Sequence, residues 1–180
     1  ADGYGVDVNR LNTTDAIYVS FVAPGGGAPD YSTIDGGEIT LTGPSGPITL
    51  GAPEAVALRV ENGVATYVTA SDTYQKPFDQ LTAAELAEEG ITEFRYTITS
   101  GALAPWVYTL TYVAGAWTDA DGNAPQAQGD VTILVEGATA TLINPGASID
   151  IVALTQRGYI DITFTAPAVK PWTPPVSYDN

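Results

Sequence analysis

A stretch of nineteen residues near the start of the chain recurs close to its end. Val6–Pro24 (VDVNRLNTTDAIYVSFVAP) aligns without a gap on Ile149–Pro167 (IDIVALTQRGYIDITFTAP), at an offset of 143 positions. The identical residues include an Asp, a Leu, an Ile, a Phe and an Ala-Pro pair, and three Val positions hold Ile instead. Self-similarity at one fixed offset is typical of proteins built from tandem repeats.

The repeat predicts how the chain is divided. Residues 1–143 form one repeat unit, and residues 144–180 contain the opening strands of a second unit, so we expect a longer parent protein with several copies. Two placements of the strand at Tyr159–Thr165 remain open. It either completes the sandwich that precedes it or belongs to a neighbouring one.

Strand patterns dominate the chain, and most of them alternate apolar and polar residues. In Tyr159–Thr165 one face carries Ile160, Ile162 and Phe164, which predicts a half-buried strand. Asn62-Gly63 predicts a tight hairpin, and Glu136-Gly137 a second one. We expect an all-β fold, an Ig-like or related β-sandwich. The predicted strands are Ala16–Val22, Glu38–Thr42, Ala55–Val60, Val64–Thr69, Phe94–Thr99, Val107–Val113, Val131–Glu136, Ala138–Ile143 and Tyr159–Thr165.

One segment predicts a short helix between these strands. Leu81–Gly90 (LTAAELAEEG) has Thr82 at the N-cap, Glu85 three residues later as in a capping box, and Gly90 to end the helix. We expect this helix to cross over or cap one end of the sandwich.

The residue inventory argues against most enzyme mechanisms. The 180 residues include no Cys, no His and no Met. Without Cys there are no disulfides, zinc-thiolate sites or cysteine nucleophiles, and without His the commonest general base and transition-metal ligand are missing. No G-x-S-x-G motif marks a serine nucleophile. We expect the chain not to be an enzyme.

The charge is strongly acidic, with 21 acidic against 6 basic residues and a net charge of −15. Nucleic acids and anionic membrane surfaces are polyanions, so neither is an expected partner. The sequence contains no run of about 18 apolar residues, so we do not expect membrane insertion. The N-terminus has no signal-peptide pattern, so we expect the chain to begin after processing or inside a longer protein. The charge either keeps a secreted protein soluble or holds calcium.

Two loops carry candidate calcium ligands. In the first, oxygen-bearing side chains alternate along a sequence that is not an EF-hand, and the alternative is a hairpin loop with turn residues. The second is a looser acidic cluster before a strand, and its alternative is a solvated loop. The first set is Asp119, Asp121, Asn123 and Asp130, and the second is Asp30, Asp35 and Glu38.

Two further groups of residues have both a functional and a structural interpretation. The repeat-matched pair Asp7 and Asp150 either binds a cation between repeats or lies on the wet face of a strand. The aromatic residues either form a platform for stacking sugars or pack in the core, as aromatic residues in strands usually do. They are Trp106, Trp117, Trp172, Tyr108 and Tyr112.

Several of these segments together resemble a known class of repeat. Ser32–Gly43, Phe94–Asn123 and the repeated Ile-x-Val/Ile-x-Phe strand resemble β-sandwich repeats of large acidic bacterial adhesins of the RTX, type I-secreted class. The most specific part is Val113–Asn123, which fits V-A-G-x-W-x-D-x-x-G-N. The glycine-rich calcium nonapeptides of RTX proteins do not occur here, so this segment would not be their calcium β-roll.

The resemblance implies an extracellular structural module that is secreted or located at the bacterial cell surface. Such a module would be a spacer or building block of an adhesin, sheath or filament, with calcium as a stiffening ion. Its partners would be neighbouring repeats or identical subunits, joined by strand addition in one variant. The alternative function is an adhesion module that binds carbohydrate or peptide through loops at one end.

Overall fold

The computed structural model describes residues 4–23, 27–61, 64–125, 128–142, 151–160 and 162–166. These ranges are mostly β-structure, which confirms the predicted all-β class. The strands are β1 Tyr4–Asp7, β2 Ala16–Ser20, β3 Ile39–Gly43, β4 Gly46–Ile48, β5 Leu50–Glu61, β6 Val64–Thr69, β7 Glu93–Ile98, β8 Trp106–Tyr112, β9 Val131–Glu136, β10 Thr139–Leu142 and β11 Ile162–Thr165.

Short helices connect several strands. The α-helices are α1 Val8–Thr14, α2 Ala70–Tyr74, α3 Ala83–Glu88 and α4 Ile151–Arg157, with 3-10 turns at Tyr31–Thr33 and Phe78–Gln80. The sequence predicted one of them, α3, and its capping box is present. Thr82 Oγ1 accepts from Glu85 N at 3.2 Å, while Thr82 N donates to Glu85 Oε2 at 2.8 Å. None of the helices in the described ranges is long and apolar enough to cross a membrane.

Most strands belong to two sheets. One has five strands in the order β1-β9-β8-β3-β4, and the other has four in the order β2-β7-β5-β6. Pairing is antiparallel throughout, except that β1 runs parallel to β9. β10 and β11 form a separate antiparallel hairpin, so β11 lies in neither sheet.

A single cluster of buried apolar side chains contains residues of both sheets, as expected for a sandwich. Alternate residues point inward, because successive side chains of a strand lie on opposite faces. Phe94, Tyr96 and Ile98 of β7 are buried in this way, and so are Tyr108 and Leu110 of β8. The inward residues also include Val19, Ile39, Leu41, Ala55, Ala57 and Val135.

The first twenty described residues close one side of the sandwich. β1 is at the edge of the five-stranded sheet and β2 at the edge of the four-stranded sheet, and α1 carries the chain from one to the other. Asp7 is the last residue of β1, and it also caps α1 by accepting from Arg10 N at 2.9 Å. Cation binding by Asp7 stays a prediction, and the matching Asp150 lies outside the described ranges. Asp15 ends the helix in the left-handed region, with φ of 45°.

The two hairpin predictions have different outcomes. β5 and β6 pair antiparallel up to Glu61 and Val64, as Asn62-Gly63 predicts, although those two residues lie outside the described ranges. The prediction of a hairpin at Glu136-Gly137 is wrong. β9 already has β1 and β8 on its two edges, and a Cβ on Gly137 would lie 2.7 Å from Pro105 Cγ, so this glycine permits close packing.

Candidate functional site

Both predicted calcium loops lie together at one end of the sandwich. Asp30 N donates to Thr118 O at 2.9 Å, and Thr118 N donates to Thr33 Oγ1 at 3.1 Å. A further backbone bond joins Ala120 N to Ala28 O at 3.2 Å. No local sequence pattern indicates that these two loops, almost ninety positions apart, are neighbours.

Asp119 is buried and organises its own loop. Its carboxylate accepts from Asn123 Nδ2 at 3.0 Å, from Asn123 N at 2.7 Å and from Asp121 N at 3.0 Å. The hydrogen bonds from Asn123, side chain first and backbone second, hold the pKa of Asp119 below its ordinary value, against the opposing effect of burial. These contacts give Asp119 a structural role in the turn.

The other residues of the first candidate site are divided between two places. Asp121 and Asn123 lie in the Asp119 turn and are exposed. Asp130 accepts from Thr111 Oγ1 at 2.7 Å, beside strand β8. The structure therefore brings three of the four residues into one loop, and calcium binding by Asp119, Asp121 and Asn123 stays a prediction.

Glu38 of the second candidate site is completely buried, which corrects the interpretation of this residue as part of a solvated loop. Its carboxylate accepts from Asp35 N at 2.5 Å and from Gly36 N at 3.0 Å, and Tyr96 Oη donates to it at 2.5 Å. Such bonds offset the large cost of burying a charge. Burial, and then the bond to Glu38, raise the pKa of Tyr96 above its ordinary value.

Asp30 and Asp35 also serve the local backbone. Asp30 caps the first 3-10 turn by accepting from Ser32 N at 3.0 Å, and Asp35 Oδ1 accepts from Gly37 N at 3.1 Å. Among the residues that the structure describes, no three acidic side chains converge into a group that could hold a metal ion. Each carboxylate of this loop thus has a part in shaping the backbone.

The aromatic residues do not form a single exposed platform. Trp117 and Tyr108 are buried in the core, and the ring of Trp117 lies edge-on to Phe21 with centroids 5.3 Å apart. Trp106 is 58% exposed, Tyr112 is partly buried, and Trp172 lies outside the described ranges. The core interpretation is therefore right for Trp117 and Tyr108.

In its described part, the repeated segment forms a helix followed by a strand in both copies. Helix α4 is offset from α1 by the 143 positions that relate the two sequences. Gly158, with φ of 70°, ends α4 at the position where Asp15 ends α1. A strand follows each helix, although β11 begins three positions later in its copy than β2 does.

The environments of the two copies differ sharply. Val19 and Phe21 are 4% and 1% exposed, whereas the matching Ile162 and Phe164 are 45% and 74% exposed. The prediction that this strand is half-buried is wrong. β11 pairs with β10, and no described segment covers its apolar face as the core covers that of β2.

Comparisons with protein-family models, with curated proteins and with solved structures each gave no match.

Proposed function

We propose that the chain is a structural module of a secreted or surface-attached bacterial protein, one sandwich unit of a tandem array that acts as a spacer or building block. The observation that carries this proposal is the recurrence of a helix, its left-handed terminal residue and the following strand at one offset of 143 positions. A unit that begins again after its own sandwich is the pattern of an array.

The mechanism of such a module is mechanical. Each sandwich is stabilised by its own core, and contacts between adjacent units set the length and direction of the array. The buried polar groups of this unit support that role. Glu38 and Asp119 bond backbone N–H groups of their own loops, so they hold the end of the sandwich in one conformation.

The extracellular location rests on composition and on the resemblance to acidic adhesin repeats. A net charge of −15 keeps long arrays soluble and separates them from one another by repulsion. In one variant of this proposal, calcium binds the Asp119 loop and stiffens the unit further.

The array is tested with a two-unit chain, made of residues 1–167 followed directly by residues 25–180. The join keeps the offset of 143, since residue 168 of the first copy corresponds to Gly25. Small-angle scattering of one-, two- and three-unit chains should show a maximum dimension that grows by one constant step for each added unit. A maximum dimension that does not grow with each added unit, or units that remain unfolded, would contradict the proposal that the unit is a spacer.

A binding module is the second candidate, favoured by one observation. Trp106 is 58% exposed, and the neighbouring cross-strand pair of Val107 and Leu134 is also exposed. Exposed aromatic residues are common where proteins bind sugars or peptides. Glycan and peptide arrays probed with the wild type and with Trp106→Ala test this candidate, and it requires binding that the substitution removes.

A further inference from the structure

The segment that closes the side of the sandwich is joined to the rest of the unit along two sheet edges. β1 pairs with β9 and β2 pairs with β7, and between them α1 packs Leu11 into the core. We call the place that residues 4–23 fill the edge slot. Its walls are the outer edges of β7 and β9 and the apolar side chains between them.

Two buried residues of one face, Val19 and Phe21, project into the edge slot. Val19 lies opposite Phe94 in the register of β2 and β7. Phe21 packs between the rings of Phe94 and Trp117, with centroid distances of 5.6 and 5.3 Å. An apolar side chain that matches these positions therefore has a surface of known shape to fit.

The second copy of the segment has this apolar face but lacks the surface. Ile162 and Phe164 occupy the positions of Val19 and Phe21 and are exposed, together with Ile160. β11 has β10 as its one hydrogen-bonded neighbour among the described strands, so its other edge is open for further pairing. Exposed apolar strand edges normally mark a surface that another strand covers.

We propose that α4 and β11 dock into the edge slot of a second copy of this sandwich, in the places that α1 and β2 take here; this rests on the proposed array. β11 would pair with the second copy's β7, with Phe164 between the second copy's Phe94 and Trp117. Because β11 keeps β10 on its other edge, the four-stranded sheet of the second copy would extend into the first unit.

The internal repeat identifies the occupant. The surface that covers Val19 and Phe21 includes Phe94 and Trp117 of the unit, so a matching surface for Ile162 and Phe164 is a further copy of these residues. In this molecule the slot is already filled by the chain's own β2. One contact of the first segment is not repeated in the second. The side chain of Asn12 donates to Leu103 O and accepts from Leu103 N, and the residue that matches Asn12 is Thr155.

Complementation in trans tests this docking on the full chain. The acceptor is the full chain with Phe21→Ala, which loosens β2 in the slot, and Phe164→Ala, which disables its own second segment. A synthetic peptide of residues 147–167 is added in excess. We expect the melting temperature of the acceptor to rise with the logarithm of peptide concentration, because a ligand that binds the folded state stabilises it.

Two controls distinguish docking in the edge slot from non-specific binding of the peptide. The same peptide with Phe164→Ala should give no rise, and the wild-type peptide should not affect a chain with intact Phe21, whose slot is filled. If the Phe21→Ala acceptor does not fold, the smaller change Val19→Ala replaces it.

An unchanged melting temperature of the folded acceptor with peptide 147–167 would overturn the docking. It would do so most clearly if a peptide of residues 4–24 raised the melting temperature of the same acceptor. If the peptide does not raise the melting temperature but each added unit still lengthens the multi-unit chain by a constant step, the array stands and this docking is refuted. If the maximum dimension does not grow by a constant step, the array itself is refuted.

Discussion

Phe21 and Phe164 stand at the same position of one repeated sequence, yet Phe21 is 1% exposed and Phe164 is 74% exposed. The difference arises from the rest of the unit. Phe21 has Phe94 and Trp117 against its ring, and nothing in the described part of the chain takes their place around Phe164. The pair therefore contrasts a segment packed in its sandwich with one that is not.

Matched substitutions at these two positions should differ in cost. Phe21→Ala should lower the free energy of unfolding by about 3–5 kcal/mol, because it leaves a cavity in the core. Phe164→Ala should change it by no more than about 0.5 kcal/mol, because the ring is exposed. Urea unfolding followed by tryptophan fluorescence is suited to this comparison, since Trp117 contacts Phe21. Equal losses at both positions would mean that Phe164 is packed in this chain.

The buried bond between Tyr96 and Glu38 predicts a loss of stability at high pH. The pKa of Tyr96 is raised in the folded state, first by burial and then by the bond to Glu38. Its contribution is therefore fully present below the ordinary tyrosine pKa of 10.0 and is lost as the pH rises above it, where the unfolded chain ionises first.

Tyr96→Phe should reveal this contribution. At about pH 7 the variant should be less stable by about 1–3 kcal/mol, since the Glu38 carboxylate loses a buried donor. The gap to the wild type should narrow by about pH 11, where tyrosines of the unfolded chain ionise. Denaturant unfolding at the two pH values measures it, with the exposed Tyr159→Phe as the control. A gap that stays constant with pH would contradict the assignment.

The Asp119 turn predicts the opposite behaviour at low pH. The pKa of Asp119 is lowered by its bonds to Asn123, so the stability it contributes is present above its ordinary value of 3.8 and is lost as the pH falls below it. The melting temperature of the wild type should exceed that of Asp119→Asn at neutral pH, and the excess should shrink in acid. Asp121→Asn, at an exposed neighbour, should show no such trend; an equal trend in both variants would assign the effect to general charge.

Calcium is tested by chelation. An ion held by Asp119, Asp121 and Asn123 would raise the melting temperature in calcium relative to a chelator. Asp121→Asn should abolish that rise, because it removes a carboxylate ligand while leaving the backbone N–H that bonds Asp119. Identical melting curves of the wild type in calcium and in chelator would remove the ion from the proposal.

Local patterns predicted much of the fold. Alternation located β2, β3, β6, β7, β8 and β9 to within a few residues, and the Thr82–Glu85 capping box located α3. Helix α1 was missed because its sequence, VNRLNTT, is rich in residues of low helix propensity. The available signals were Asp7 as an N-cap and Asp15 or Gly158 as a left-handed terminal residue.

The candidate site depends on contacts that local patterns do not contain. Glu38 stands where an acidic loop meets the predicted strand Glu38–Thr42, and local patterns do not show that Tyr96, 58 positions away, donates to its buried carboxylate. The exposure of β11 was missed for the same reason, since a strand is half-buried only when another sheet covers one face. The sequence therefore predicts the repeat, and the fold shows which copy of it is packed.

The most direct test of the repeat is Phe164→Ala in the first segment, residues 1–167, of the two-unit chain in which residues 25–180 follow. The Phe164 of the second segment stays unchanged. There Phe164 should lie in the core of the second sandwich, so the substitution should lower the unfolding free energy of one unit by about 3–5 kcal/mol. In the one-unit chain the same substitution should change stability by no more than about 0.5 kcal/mol. An unfolding free energy that is the same with Phe and with Ala at this position of the first segment would contradict the proposed array.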